Sequence, residues 1–254
     1  MSMPTVAASD PRMDARSIAT SLWRAVEAQH RASTMVLVDT LDEQALLEAI
    51  LDASKPPLPA SPRQLHWLLF TPFRYPPLPS GSRFRAPADP GVFYGAEERR
   101  TACAELGYWR WRFLNDSPAL PTLPPMAQTL FRTPVAGTAV DLRLPPHDAQ
   151  RARWTDPLDY SACQAFARSA RETDVQIILY ESVRDPGAGL CAAVLSHEAF
   201  AANQPDLTES WTLAVSRRRV LWRLNSVFED DAFEFDAAPW SVMAPSDAQN
   251  GTAS

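Results

Sequence analysis

Apolar residues recur along this chain in two periods, and the switches between them predict its elements. Between Ser17 and Arg31, Leu22, Trp23 and Val26 fall on one face of a helix. Met35 to Val38 reads as a short strand or an extended link. From Asp42, a suitable N-cap, Leu46, Leu47, Ile50 and Leu51 repeat at helical spacing. That second helix must stop before Lys55-Pro56-Pro57, because proline disfavours helical geometry in the residue ahead of it.

Beyond this helical pair the pattern turns strand-like. Leu65 to Phe70 is a short apolar run of strand length, closed by Thr71-Pro72. A loop rich in proline and glycine leads to a strand from Val92 to Tyr94. From Ala96 to Phe113, Ala102, Leu106, Trp109 and Phe113 form one helical stripe. Asp116 to Pro134 holds five prolines and reads as an extended connector. Thr138 to Leu144 alternates with Val140, Leu142 and Leu144 on one face.

A helix is expected over Tyr160 to Arg171. The continuous aliphatics of Asp174 to Tyr180 mark a buried central strand, and Leu190 to Leu195 reads as its neighbour. Trp211 to Val215 and Val220 to Leu224 read as a hairpin. The organisation expected is a disordered tail at 1–16, a helical extension at 17–62, a main domain at 63–226 and an acidic, polar tail at 227–254. The class is α+β, with a strand-rich core and flanking helices.

Composition narrows the function. A net charge of −6 argues against a nucleic-acid surface as the main business, since phosphate backbones call for a basic patch. Lys55 is the only lysine, so nearly every cation is arginine, the residue suited to bidentate phosphate recognition. No run of 18 apolar residues is present and the N-terminus lacks a secretory pattern, so a cytoplasmic protein is expected. Cys103, Cys163 and Cys191 have no CxxC spacing, and His30, His66, His147 and His197 are scattered. A metal site is therefore not expected, and the cysteines should be reduced, partly buried thiols.

The chemistry concentrates between Arg74 and Glu105. Arg74, Arg83 and Arg85 precede Tyr94, and Glu105 follows on the edge of an apolar helical stripe. A carboxylate in that position needs an arginine partner or a solvated cleft. Loop arginines are commonly solvated, a tyrosine at a strand end commonly packs in a core, and Ser182 after a strand is a common turn residue. No glycine-rich phosphate loop or GxSxG elbow is present.

Taken in order, the motifs resemble those of the RES domain family. Phe73-Arg74-Tyr75 resembles its aromatic-Arg-Tyr element, and Gly81-Ser82-Arg83-Phe84 its Gly-Gly-Arg-Trp element, with Ser82 and Phe84 as departures. Tyr94-Gly95-Ala96 with Ala102-Cys103-Ala104-Glu105 resembles the Tyr-x-Ala and Ala-x-x-Glu element. Asp159 to Ala165 resembles the element before the penultimate strand, and Tyr180-Glu181-Ser182-Val183-Arg184 its Tyr-Pro-Ser-x-Arg end.

The resemblance implies an ADP-ribosyltransferase-like fold and a toxin that cleaves the nicotinamide–ribose bond of NAD+, with no metal. It implies transfer of ADP-ribose to phosphate or to water, or alternatively to a protein; a non-catalytic nucleotide- or partner-binding module is the further alternative. Arg83, Glu105 and Ser182 would be catalytic, and Arg74, Tyr75, Tyr94 and Ser161 would bind NAD+. Ser182 is the better match to the serine of the family, and Ser161 is the second candidate. The implied partner is an antitoxin with a helix-turn-helix domain; direct nucleic-acid and membrane contacts are not implied.

Overall fold

The computed structural model describes residues 14–28, 65–75 and 81–243, with positions 11, 40, 42, 43 and 79. In chain order its elements are β1 (Arg16–Glu27), α1 (Trp67–Arg74), β2 (Phe93–Ala96), α2 (Arg99–Asn115) and β3 (Met126–Asp141). Then come α3 (Arg151–Trp154), α4 (Ser161–Glu172), β4 (Ile177–Glu181), β5 (Leu190–Val194), β6 (Leu207–Val215), β7 (Arg219–Leu224), β8 (Ala232–Asp236) and α5 (Ala238–Met243).

The first correction lies at the N-terminus. Arg16–Glu27 is a strand, not a helix, and it pairs antiparallel with β3 from Arg16↔Ala139 to Glu27↔Gln128. Ile18, Leu22 and Val26 recur every four residues, a spacing that satisfies a helical face and one face of a strand equally. The partner that decides between them lies a hundred residues downstream. A helical extension over 17–62 is thus wrong for its first part, which belongs to the main sheet. At 42–43 the chain is helical, and Thr40 and Glu43 exchange reciprocal hydrogen bonds, so Thr40 takes the capping place expected of Asp42. The remainder of that expected helix, the link at 35–38 and the tail at 1–10 lie outside the described residues.

The pairings of β1, β2, β5, β4 and β3 close into a ring, because β1 bonds both β2 and β3. Within it only β3 and β4 run parallel. A leaf of β6, β7 and β8 extends from the first half of β3. Ring strands send alternate residues to two cores. Leu22, Phe93, Phe131, Ile177, Leu179, Ala192 and Val194 pack with Leu68 and Leu69 of α1. Trp23, Leu130, Ile178, Tyr180, Cys191 and Ala193 pack on the other side with α2, α4 and the leaf. Both faces of β4 and β5 are therefore dry, which accounts for their unbroken apolar sequence.

Three further expectations change. Leu65–Phe70 is not a strand: Trp67–Arg74 is helical, with His66 Nδ1 accepting the Leu68 N–H at 3.3 Å, because a short apolar run does not distinguish the two states. The proline-rich connector ends at Pro125, and β3 starts at Met126. Pro134 is tolerated inside β3 because it falls where pairing with β6 has ended at Arg132 and pairing with β4 has not begun. Its carbonyl accepts the Ala201 N–H on that side, so its missing donor leaves no ladder bond unmade.

The acidic segment expected as a tail from 227 is part of the fold as far as Met243, and residues 244–254 lie outside the described residues. Phe233 and Phe235 alternate with Glu234 and Asp236 along edge strand β8, and α5 follows. Trp240 of α5 is fully buried against Tyr108, Trp111 and Phe235. Burying a side chain of that size contributes about 3 kcal/mol. The folded unit thus extends past 63–226 at both ends. Among the described residues no helix is long and apolar enough to cross a membrane.

Candidate active site

Helix α2 buries Ala104, Gly107, Tyr108, Trp111 and Leu114, while Trp109 and Phe113 are half exposed. The buried face is therefore rotated from the expected stripe. This helix has no single apolar stripe, since Arg110 and Arg112 alternate with Trp109, Trp111 and Phe113, and its orientation is set by the Trp222 and Trp240 rings packed beside Gly107. Glu105 lies at the border of the buried face and lines a cavity of about 430 Å³.

That cavity is walled by β1 (Trp23, Arg24), the loop before β2 (Gly81, Ser82, Arg83), β2 (Tyr94, Gly95) and α2 (Glu105, Trp109). Tyr160, Tyr180, Arg184 and Cys191 complete it. Gly95 is required where β1 crosses β2, since a Cβ there would stand 2.9 Å from the Leu22 Cβ.

Ser182 Oγ donates to Glu105 Oε1 at 2.6 Å and accepts the backbone N–H groups of Arg184 at 3.2 Å and Asp185 at 3.0 Å. Its hydroxyl is thereby fully committed, and it fixes the carboxylate instead of offering a nucleophile. The Cys191 thiol, held well above its usual pKa by burial and by Glu105, points at the same oxygen at 3.8 Å.

Arg83 is buried, donates to the Trp154 carbonyl at 2.8 Å and stacks 4.7 Å from the centre of the Tyr160 ring. Burial works against its charge, but Cys163, Tyr180, Tyr160 and Glu105 outweigh burial, and its pKa is raised. Its loop is shaped by Gly81, whose φ of +70° and whose approach to the Arg85 carbonyl exclude a side chain. Tyr94 pins that loop: its hydroxyl bonds Ser82 Oγ at 2.8 Å and accepts the Phe84 N–H at 2.9 Å. Burial pushes the Tyr94 phenol up to about 12, so it is neutral at physiological pH.

The structure therefore brings Arg83, Tyr94, Glu105 and Ser182 together, although 99 residues separate the first from the last. Arg74 and Tyr75 are placed elsewhere. They line a second hollow with Arg85, Gly91 and His197. Ser161 is exposed at the start of α4, its N–H donated to Asp159 Oδ1 at 2.8 Å, and it does not line the cavity.

Tyr160, Arg184 and Arg24 line the cavity although the sequence reading assigns them no role, the first two standing inside the quoted motifs. Tyr160, beside the singled-out Ser161, presents its ring to Arg83 and accepts Arg184 Nη2 at 3.0 Å. Arg184 is buried, with its guanidinium 3.9 Å from the centre of the Tyr108 ring. Arg24 enters from β1, and no motif marks it; reading 17–31 as strand would have been the only route to it. Among the described residues, none of Arg24, Arg83 and Arg184 has a carboxylate in salt-bridge range, whereas Arg99, Arg132 and Arg143 outside the cavity do. No group of three or more His, Cys, Asp or Glu among the described residues could hold a metal ion.

A search of curated proteins found no match. Among solved structures, a chain of the M. tuberculosis MbcT–MbcA toxin–antitoxin complex aligns at 13% identity and a TM-score of 0.46, over 82% of this chain and 91% of that one. The family model of the RES domain matches residues 57–216, which hold Arg83, Tyr94, Glu105 and Ser182 and span more than half of the sequence: the chain belongs to the RES domain family.

Proposed function

We propose that this protein cleaves the nicotinamide–ribose bond of NAD+ and passes the ADP-ribosyl group to inorganic phosphate, with water as the lesser acceptor. The observation that carries the reading is the charge pattern of the cavity. It sets one carboxylate, Glu105, held by Ser182, against three arginines that have no carboxylate in salt-bridge range among the described residues. Membership of the RES family, with its implied ADP-ribosyltransferase-like fold, supports the same reading.

In this reading the C–N bond breaks with its electron pair leaving on the nicotinamide nitrogen, and the ribose carbon takes on oxocarbenium character. Glu105 stabilises that developing positive charge electrostatically. A phosphate oxygen then bonds to the carbon, and its proton passes to solvent. Arg83 binds phosphoryl oxygens by charge-assisted hydrogen bonds, and the Tyr94, Tyr160 and Tyr180 rings provide faces for the cationic nicotinamide. Ser182 acts through Glu105. Arg74 and Tyr75, in the second hollow, would meet only a part of NAD+ that extends out of the cavity.

Trp109 and Phe113, one turn apart on α2 and 51% and 53% exposed, supply an apolar surface beside the cavity. They favour a protein partner there, and the family implies an antitoxin with a helix-turn-helix domain. An adjacent reading frame for such a protein, and co-purification with it, test that part.

The decisive experiment measures NAD+ loss and product by chromatography, with and without phosphate. Conversion to a phosphorylated ADP-ribose, abolished in Glu105→Gln, is expected. Intact NAD+ under both conditions overturns the reading, and label retained on a protein band would make a protein the acceptor.

A further inference from the structure

We infer that Trp240, on the short helix that follows the family-matched segment, is a positioning residue for the cavity: it fixes Arg184, through which the Glu105 side and the Arg83 side of the site are joined. Its expected effect on turnover rests on the NAD+ reading above; the fixing of Arg184 does not.

Arg184 stands in the turn after β4 and is 3% exposed. Its backbone N–H donates at 3.2 Å to Ser182 Oγ, which donates in turn to Glu105. Its guanidinium donates to the Tyr160 hydroxyl and to the Pro157 carbonyl, both at 3.0 Å, and the Tyr160 ring lies against Arg83. One residue thus joins the hydrogen bonds behind the carboxylate to the contacts behind the buried cation. A shift of its backbone would move both.

Trp240 holds Arg184 at both ends. Its Nε1–H donates to the Arg184 carbonyl at 2.7 Å, in a bond buried from solvent. Its ring makes a T-shaped contact with Tyr108, and the Arg184 guanidinium lies 3.9 Å from the centre of the Tyr108 ring. Met243, one turn on, places its sulfur 3.7 Å from Arg184 Nη1. Helix α5 has only six residues, too few to be stable alone, so the buried indole is what anchors it. A buried indole N–H needs an acceptor, but the acceptor need not belong to a cavity wall. Trp111, beside Trp240 in the same aromatic cluster, donates at 3.0 Å to the Arg217 carbonyl, and Arg217 does not line the cavity.

That neighbour supplies a matched comparison. Full-length Trp240→Phe and Trp111→Phe each keep an aromatic ring and each lose one indole N–H bonded to a backbone carbonyl. Both are compared with the parent at a temperature where circular dichroism shows all three folded. In Trp240→Phe, kcat/KM for NAD+ should fall about 10- to 100-fold, while Trp111→Phe stays within about twofold. Equal losses in the two variants, or none in Trp240→Phe, make Trp240 a core residue only and overturn the inference. Amide exchange followed by NMR reads the same turn without turnover. The Arg184 and Asp185 N–H groups should exchange about 10-fold faster in Trp240→Phe and be unchanged in Trp111→Phe. If the parent leaves NAD+ intact, the NAD+ reading falls and exchange decides: the difference between the variants sustains the positioning of Arg184, and its absence overturns it. Should Trp240→Phe not fold, an indole isostere with sulfur in place of the ring N–H, installed at Trp240, undergoes the same measurements.

Discussion

Ser182 stands 2.6 Å from Glu105 across 77 residues of sequence, its hydroxyl donating to Glu105 Oε1 while the backbone N–H groups of Arg184 and Asp185 donate to Ser182 Oγ. The carboxylate therefore sits at the end of a short chain of hydrogen bonds rooted in the turn after β4. Its position is set by that turn as much as by α2.

Removing the hydroxyl should separate position from chemistry. Ser182→Ala leaves two buried N–H groups without an acceptor and is expected to destabilise the fold by about 1–3 kcal/mol. It should also lower kcat for NAD+ by about 10–100-fold with a smaller change in KM, because a misplaced carboxylate loses most of its effect. Urea denaturation and steady-state kinetics read the two effects. Unchanged kcat would remove Ser182 from the site.

Tyr94 holds the Ser82–Phe84 loop through its hydroxyl while its ring lines the cavity. Tyr94→Phe keeps the ring and orphans the Phe84 N–H, so a loss of about 1–3 kcal/mol is expected. KM for NAD+ should rise more than kcat falls, since the loop carries Arg83. A variant with full stability and unaltered KM would show that the hydroxyl does not organise the loop.

Gly81 has a φ of +70°, and a Cβ there would lie 2.3 Å from the Arg85 carbonyl oxygen, a backbone atom that cannot swing away. Gly81→Ala should cost about 1–3 kcal/mol and weaken ADP-ribose binding, because Arg83 is two residues on. A melting curve coincident with the parent would refute the strain.

Asp141 closes β3, accepts three hydrogen bonds from Arg143 at 2.9–3.0 Å and pairs with Arg16 at 3.3 Å. Burial alone would raise its pKa; the Arg143 bonds and the Arg143 and Arg16 charges outweigh it and hold the pKa below 3.8. Because the folded state holds this proton less tightly than the unfolded chain, the stabilisation is full above about pH 4 and is lost as pH falls through the depressed value. Thermal melts across pH 2–6 should show a shallower acid limb in Asp141→Asn than in the parent. Identical limbs would assign the loss to other carboxylates.

Much of the fold was legible where a signal was local. Strands β4 and β5 and the β6–β7 hairpin follow from unbroken or alternating apolar runs, and α4 from its spacing. The motif order marked Arg83, Tyr94 and Glu105, which line one cavity, and Ser182, which bonds Glu105 from behind it. The errors fall where two periods coincide or a run is too short: Ile18, Leu22 and Val26 suit both states, and Trp67–Arg74 is a single short helix. Proline-rich composition hid the start of β3, and acidity hid β8.

Residue types and their order by themselves determined the α+β class, the family and the four residues above, because those signals lie within single elements. Which cations accompany them was a tertiary decision. Arg24 reaches the cavity only because β1 pairs with β3, and Arg74 is kept from it because α1 carries it to another hollow. Pairing between strands a hundred residues apart depends on the shape of both partners, and no window of sequence contains both.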